Sequence, residues 1–137
     1  MADTKSADVQ HAIDALIRAF GEHDTTAYFE AFSPDATFVF YTHPVPLPSR
    51  EAYRDLWSEW ESDGFRVLAC RSSEQNVTFP APDVAVLTHR VGTTVRHSTG
   101  TVELDERETI LFRRREDSGW IAVHEHLSPQ SIVIADR

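Results

Sequence analysis

Residues Glu108–Ser128 read ETILFRRREDSGWIAVHEHLS. Two apolar runs rich in β-branched and aromatic residues flank Glu116-Asp117-Ser118-Gly119, which has the composition of a tight turn. The stretch therefore predicts an antiparallel hairpin, Thr101–Arg115 returning as Trp120–Ser128. Pro129 has no amide hydrogen for a ladder and ends the second arm. Working back towards the N-terminus, His97–Gly100 is a turn, Val84–Arg96 a strand, and Pro80-Ala81-Pro82-Asp83 another turn. Phe65–Phe79 is a long, bent strand whose middle, Arg71–Asn76, is weakened by polar residues. Beyond the hairpin, Ile132-Val133-Ile134 is short and apolar and is expected to dock on the domain.

The first half of the chain changes period. Val9, Ile13, Leu16, Ile17 and Phe20 recur at helical spacing, and Gly21 is a suitable stop. Asp24 can cap a short second helix carrying Tyr28, Phe29 and Phe32. Ser33-Pro34-Asp35 is expected to end it, because a residue before proline avoids helical backbone. Ala36–Thr42 reads as a strand and His43–Pro48, with three prolines, as a loop. Ser49 caps a third helix with the stripe Tyr53, Leu56, Trp57 and Trp60, and Asp63-Gly64 stops it. Three helices and a set of long antiparallel strands make an α+β domain, with helices on one face of a curved sheet that leaves a concave space behind it.

Composition narrows the partners. The 137 residues form one domain by length and are enough to bury roughly two-thirds of the unfolded surface. Hydrophobic residues make up 41% and charged ones 26%, which excludes a disordered or collagen-like chain. Thirteen basic against 22 acidic side chains give a formal charge of −9, which repels nucleic-acid phosphates and anionic lipid. No apolar run approaches the ~20 residues of a membrane span, and Met1–Asp8 is too polar for a signal peptide. One cysteine, Cys70, rules out an intrachain disulfide and a thiolate-rich metal site; it reads as a small buried residue. A cytoplasmic protein is expected.

Gly119-Trp120-Ile121-Ala122-Val123-His124-Glu125-His126-Leu127-Ser128 resembles the closing strand of the nuclear-transport-factor-2-like superfamily, which includes SnoaL-like proteins, ketosteroid isomerase, scytalone dehydratase and the association domain of calcium/calmodulin-dependent protein kinase II. Glu108–Arg115 and the passage Phe29–Phe40 are similar to its neighbouring elements. The match is nearest to the SnoaL-like and kinase-association branches. The resemblance implies a cone-shaped, cystatin-like fold, a curved antiparallel sheet wrapped around three helices, over the whole chain 1–137. It implies a pocket for a small organic molecule, with Tyr28 and Tyr53 at pocket positions. Two arginines of the kinase-association pocket fall on Ile110 and Leu127 here, which points away from carboxylate ligands. A third basic position falls on His89 or Arg90, of which strand alternation lets only one face inward. The resemblance also implies a reaction class: cofactor-free isomerisation, dehydration or cyclisation by proton transfer. The alternatives are a non-catalytic ligand-binding or oligomerisation module, and a filled core without ligand.

Glu125 shares a strand face with Ile121, Val123 and Leu127. If that face is concave, burial raises its pKa and suits it to acid–base work, with His89 as partner; the alternative is an exposed or ion-paired carboxylate. Trp57 lies on the helical stripe that doubles as pocket wall, Arg90 is a candidate ligand contact, and His43 stands in the proline-rich loop at the expected mouth. His124-x-His126 places two imidazoles on one face but lacks the third ligand a metal needs. The pair, with Trp120, is expected on the outer sheet face at a homodimer interface. No metal or cofactor is expected, and no phosphate loop, Gly-x-Ser-x-Gly elbow or His-Glu-x-x-His helix is present.

Overall fold

The computed structural model describes residues 4–116 and 119–130. Helix α1 spans Thr4–Gly21 and buries Val9, Ile13, Leu16 and Ala19, one apolar stripe at helical period. Helix α2, Thr25–Glu30, is capped by Asp24, whose carboxylate accepts from the Ala27 amide at 3.2 Å. Helix α3, Arg50–Ser62, is capped in the same way by Ser49, which accepts from Ala52 N at 3.1 Å. Gly64 ends its exit turn at φ +93°, a left-handed conformation, with the Ser98 backbone 3.1 Å from where a Cβ would stand. The strands are β1 (Phe32–Phe40), β2 (Arg66–Ala81), β3 (Val84–His97), β4 (Gly100–Arg114) and β5 (Trp120–Pro129).

The sheet runs β1-β5-β4-β3-β2, curved and unclosed. Neighbours from β2 to β5 are antiparallel, but β1 lies parallel to β5, so the sheet is mixed rather than wholly antiparallel. The chain can reach a parallel position because the whole of α3 and the β2–β4 meander separate β1 from β5. Helix α1 packs on β2 and β5, and α3 packs on β1. On β3 every second residue from Ala85 to Val95 is buried, which is the pattern of one covered face.

Three local departures from the sequence expectation have physical causes. Helix α2 stops at Glu30, and Phe32-Ser33-Pro34-Asp35 already belongs to β1. The β1–β5 register slips between Phe32 and Thr37, and an irregular edge segment of this kind tolerates a proline that cannot donate. In the proline-rich loop, Leu47 turns back and exchanges two backbone hydrogen bonds with Phe38, at 2.8 and 3.0 Å, which covers part of the β1 edge. In β5, Leu111 pairs with His124 but Phe112 pairs with Ala122, so Val123 is an extra residue. That bulge reverses the alternation. Trp120 and Ala122 before it, and Glu125 and Leu127 after it, all meet the core side. Trp120 is accordingly in the core, 6.0 Å from the Phe79 ring, and not on the outer face with His124 and His126.

The strand predicted through Arg71–Asn76 is continuous, with a register shift between Ser73 and Asn76 and a left-handed Glu74. Cys70 is half-buried rather than buried; its thiol is pushed up to about 12, first by burial and then by the charge of Glu108. Ile132-Val133-Ile134 and the turn residues Asp117 and Ser118 lie outside the described residues.

Candidate functional site

Between the helices and the sheet lies a cavity of about 370 Å³, so the core is not filled. Its size falls in the range that holds a small organic molecule. Helix α1 contributes Phe20, α2 contributes Tyr28, and α3 contributes Tyr53, Trp57 and Trp60. The sheet contributes Val91, Thr93 and Val95 from β3, Leu104, Glu106 and Glu108 from β4, and Glu125 and Leu127 from β5. Phe40, Tyr41 and Thr42, at and just past the end of β1, complete much of the rim.

The aromatic side is rigid because each ring is packed on others. Tyr53 lies 4.6 Å from Phe38 and 4.9 Å from Phe40, and Trp57 lies 5.3 Å from Tyr28 and 5.1 Å from Phe65. Trp57 Nε1 donates to Thr25 Oγ1 at 3.1 Å. His23, at φ 55°, stacks on Trp57, accepts from Val67 N through Nδ1 at 2.9 Å and reaches Glu61 through Nε2 at 2.8 Å. This clip ties the α1–α2 turn to α3 and β2. Sequence reading passes over His23, which has no motif around it. The Tyr28 and Tyr53 hydroxyls meet at 2.9 Å, and burial first, then the nearby Glu125, raises the pKa of both.

The polar side is a chain of groups that runs inward from the exposed Gln75 to the buried His89 and Glu125. Gln75 donates to Ser72 Oγ at 2.9 Å, and Ser72 Oγ lies 2.7 Å from His89 Nδ1. His89 Nε2 lies 2.7 Å from Glu108 Oε1. With Ser72 already accepting from Gln75, its hydroxyl proton can be donated to Nδ1, leaving Nε2–H to be donated to Glu108. Glu108 in turn shares a hydrogen bond with Glu125, which also interacts with the Tyr28 hydroxyl. Glu125 Oε1, completely buried, has no partner.

Two carboxyls this close cannot both ionise, and their environments separate them. Burial pushes Glu125 well up, and the charge and hydrogen bond of Glu108 push it further, against a smaller opposing hydrogen bond from Tyr28. Burial acts on Glu108 in the same direction, but the hydrogen bonds from Glu125 and His89 outweigh it and hold Glu108 below the usual carboxylate range. The proton of the pair thus favours Glu125 and the negative charge Glu108, and Glu125, which lines the cavity, keeps an unpaired oxygen, Oε1. A third carboxylate, Glu106, is raised by burial and accepts from Tyr41 Oη at 2.7 Å.

Against the sequence candidates, the structure brings Glu125, Tyr28, Tyr53 and Trp57 together at the cavity. His89 faces inward but sits behind Glu108 on a much smaller void, so Glu108 separates it from Glu125. Arg90 is not a cavity residue. It points outward and is held by Asp105, with contacts of 2.9 and 2.6 Å, and by Glu74. His43 is half-exposed and does not line the cavity; its neighbours Tyr41 and Thr42 do. His124 bonds Thr37 Oγ1 at 2.7 Å and meets His126 ring to ring at 6.4 Å, on the outer face. Glu106 and Glu108 escape the sequence reading. The signal was the period of two on β4, where the buried Phe112 and Ile110 lead back to Glu108 and Glu106.

Comparison with known proteins places this architecture. A model described as a SnoaL-like domain matches residues 9–132. No curated protein matches the chain. Among solved structures, the chain is similar to a ketosteroid isomerase-like protein from Erwinia carotovora atroseptica, with TM-score 0.80 and 16% identity over 96% of this chain and 100% of that one. It is also similar to a protein from Xanthomonas campestris named after the calcium/calmodulin-dependent protein kinase II association domain, with TM-score 0.75 and 17% identity over 91% and 87% of the two chains. A nuclear-transport-factor-2-like protein with a cystatin-like fold from Novosphingobium aromaticivorans superposes with TM-score 0.71 and 18% identity over 95% and 84%. At these identities the structural likeness shows the fold alone.

Proposed function

Because the chain belongs to the SnoaL-like domain family, we propose that its cavity binds a small organic molecule and moves a proton on it without a cofactor, as an isomerase, dehydratase or cyclase does. The observation that supports this is the unpartnered, buried Oε1 of Glu125 at the cavity wall, backed by Glu108 and His89. Glu125 is the catalytic residue in this reading. Its carboxyl accepts a proton from carbon or oxygen of the substrate. The proton already on Glu125 passes to Glu108, which becomes neutral, and Glu125 is left a neutral carboxyl carrying the substrate's proton; His89, 2.7 Å from Glu108, holds the Glu108 carboxyl in place. Glu108 is the end of this proton relay, and His89 is the positioning residue behind it. Tyr28 and Tyr53 supply hydroxyls for an oxygen of the substrate. Ketosteroid isomerase divides its work comparably, with one carboxyl as base and a tyrosine with a protonated carboxyl on the substrate oxygen.

The direct test incubates the protein in D2O with a panel of enolisable cyclic ketones and β-hydroxy ketones, and reads deuterium uptake or water loss by mass spectrometry. The wild type is expected to accelerate one member, and Glu125→Gln to lower turnover about 10²-fold or more with binding kept. Full activity in the variant removes Glu125 from the chemistry.

The same reading covers assembly and location. The outer sheet face carries Val39, Val86 and Leu111, all partly exposed, beside His124 and His126. We infer a homodimer through that face. The single cysteine supports a cytoplasmic setting, and among the described residues no helix is long and apolar enough to cross a membrane.

A further inference from the structure

The cavity wall has an unusual charge balance. Among the described residues that line it, Asp63, Glu106, Glu108 and Glu125 are acids, the imidazole of His97 is the one basic side chain, and no lysine or arginine is present. The guanidinium of Arg90 is turned outward and held by Asp105 and Glu74. Opposite the acids stand the rings of Tyr28, Tyr53, Trp57 and Trp60, whose faces carry negative potential. One acceptor, Glu125 Oε1, is buried and lacks a donor. An unpaired buried acceptor carries a desolvation penalty that a ligand donor or cation would relieve.

We propose that the molecule bound in this cavity carries a positive charge on nitrogen, an organic ammonium whose cationic centre sits between the Glu125–Glu108 carboxyls and the aromatic wall of Tyr28, Tyr53 and Trp57. This rests on the reading of the cavity as the ligand site and names the ligand's class. The apolar volume beyond, walled by Phe40, Leu127 and Trp60, takes the rest of the molecule. An anion is disfavoured by the carboxylates. A neutral hydrocarbon fills the space but leaves Oε1 unpaired.

Binding of a cation is linked to a proton. The groups facing Glu125 are Glu106 and Glu108 from β4, Tyr28 from α2 and Tyr53 from α3, with His89 of β3 behind Glu108. None brings a cation into contact with Glu125 itself. A bound ammonium supplies one, stabilises the ionised carboxyl, and so releases the Glu125 proton. Affinity for the cation therefore rises with pH as long as the free protein still holds that proton, while affinity for a neutral isostere does not.

The test uses matched shapes that differ in charge: 4-(trimethylammonio)phenol against 4-tert-butylphenol, and choline against 3,3-dimethylbutan-1-ol, with benzoate as the anion. Titration calorimetry on the wild-type chain at pH 6 and pH 8 is expected to give at least tenfold tighter binding of one cation than of its neutral partner. That cation is also expected to bind more tightly at pH 8 and to release protons, as shown by heats that differ between buffers of different ionisation enthalpy. Glu125→Gln is expected to remove the tenfold preference. If that variant does not fold, the matched pairs and the pH dependence on wild type decide alone. Equal or tighter binding of the neutral partner overturns the charge assignment and leaves the cavity as a ligand site. Failure of every cation to bind also overturns it, while deuterium uptake by an enolisable neutral ketone judges the proton-transfer reading separately.

Discussion

His89 Nε2 stands 2.7 Å from Glu108 Oε1, and both side chains are largely hidden from water. This contact makes the two neighbouring glutamates unequal. It gives Glu108 an imidazole beside it where Glu125 has only the weaker hydrogen bond of the Tyr28 hydroxyl, so the negative charge of the pair settles on Glu108 and the proton on Glu125.

Replacing Glu108 by Gln removes the charge that helps to raise Glu125 and leaves an amide oxygen as a weaker acceptor in place of the carboxylate. Burial remains, so the pKa of Glu125 is expected to fall but to stay above the ordinary glutamate value. A 13C carboxyl titration of Glu125 in wild type and Glu108→Gln reads this directly. An unchanged titration would show that the two carboxyls are not coupled.

The pH dependence of stability has a definite sign. Glu125 holds its proton more tightly folded than unfolded, so its contribution is fully present below the ordinary glutamate pKa. It is lost as pH rises from there through the folded value. Glu125→Gln cannot ionise. Its thermal midpoint relative to wild type is therefore expected to increase as pH rises above the ordinary glutamate pKa and to level off once the pH passes the folded value. A difference between the two proteins that is constant across that window contradicts the assignment of the proton to Glu125.

For the assembly, light scattering at micromolar concentration is expected to give twice the chain mass. Leu111→Arg puts a charge at the centre of the outer face, opposite His124 and Val86. A buried unpaired charge in an interface is strongly unfavourable, so this variant is expected to be monomeric with its far-ultraviolet circular dichroism unchanged. A monomeric wild type removes the dimer.

The sequence reveals most of the fold because its period changes cleanly, from the stripe of Val9, Ile13 and Leu16 to the alternation of Ala85, Leu87, His89 and Val91. It also carries its own punctuation: Asp24 and Ser49 as caps, and Gly64 as a stop. The parallel pairing of β1 was less legible, because partner choice across a sheet depends on contacts some ninety residues apart, such as Phe38 with Glu125. The site was legible where a residue's own face decided its role. It was hidden where a side chain acts through another, as His89 does through Glu108. Trp120 was misplaced because simple counting by twos does not see an extra residue at Val123.

That extra residue separates two properties of the cavity that a regular strand would tie together. Phe112 with Ala122 and Leu111 with His124 are consecutive rungs on either side of it. A chain lacking Val123 would keep the same rungs and present the same side chains inward, while losing the local kink. Conversely, exchanging Glu125 or Leu127 alters what the inner wall offers without disturbing how the strand bends. Shape and chemistry in this part of the wall can therefore drift independently over generations, one by gain or loss of a single codon and the other by ordinary substitution.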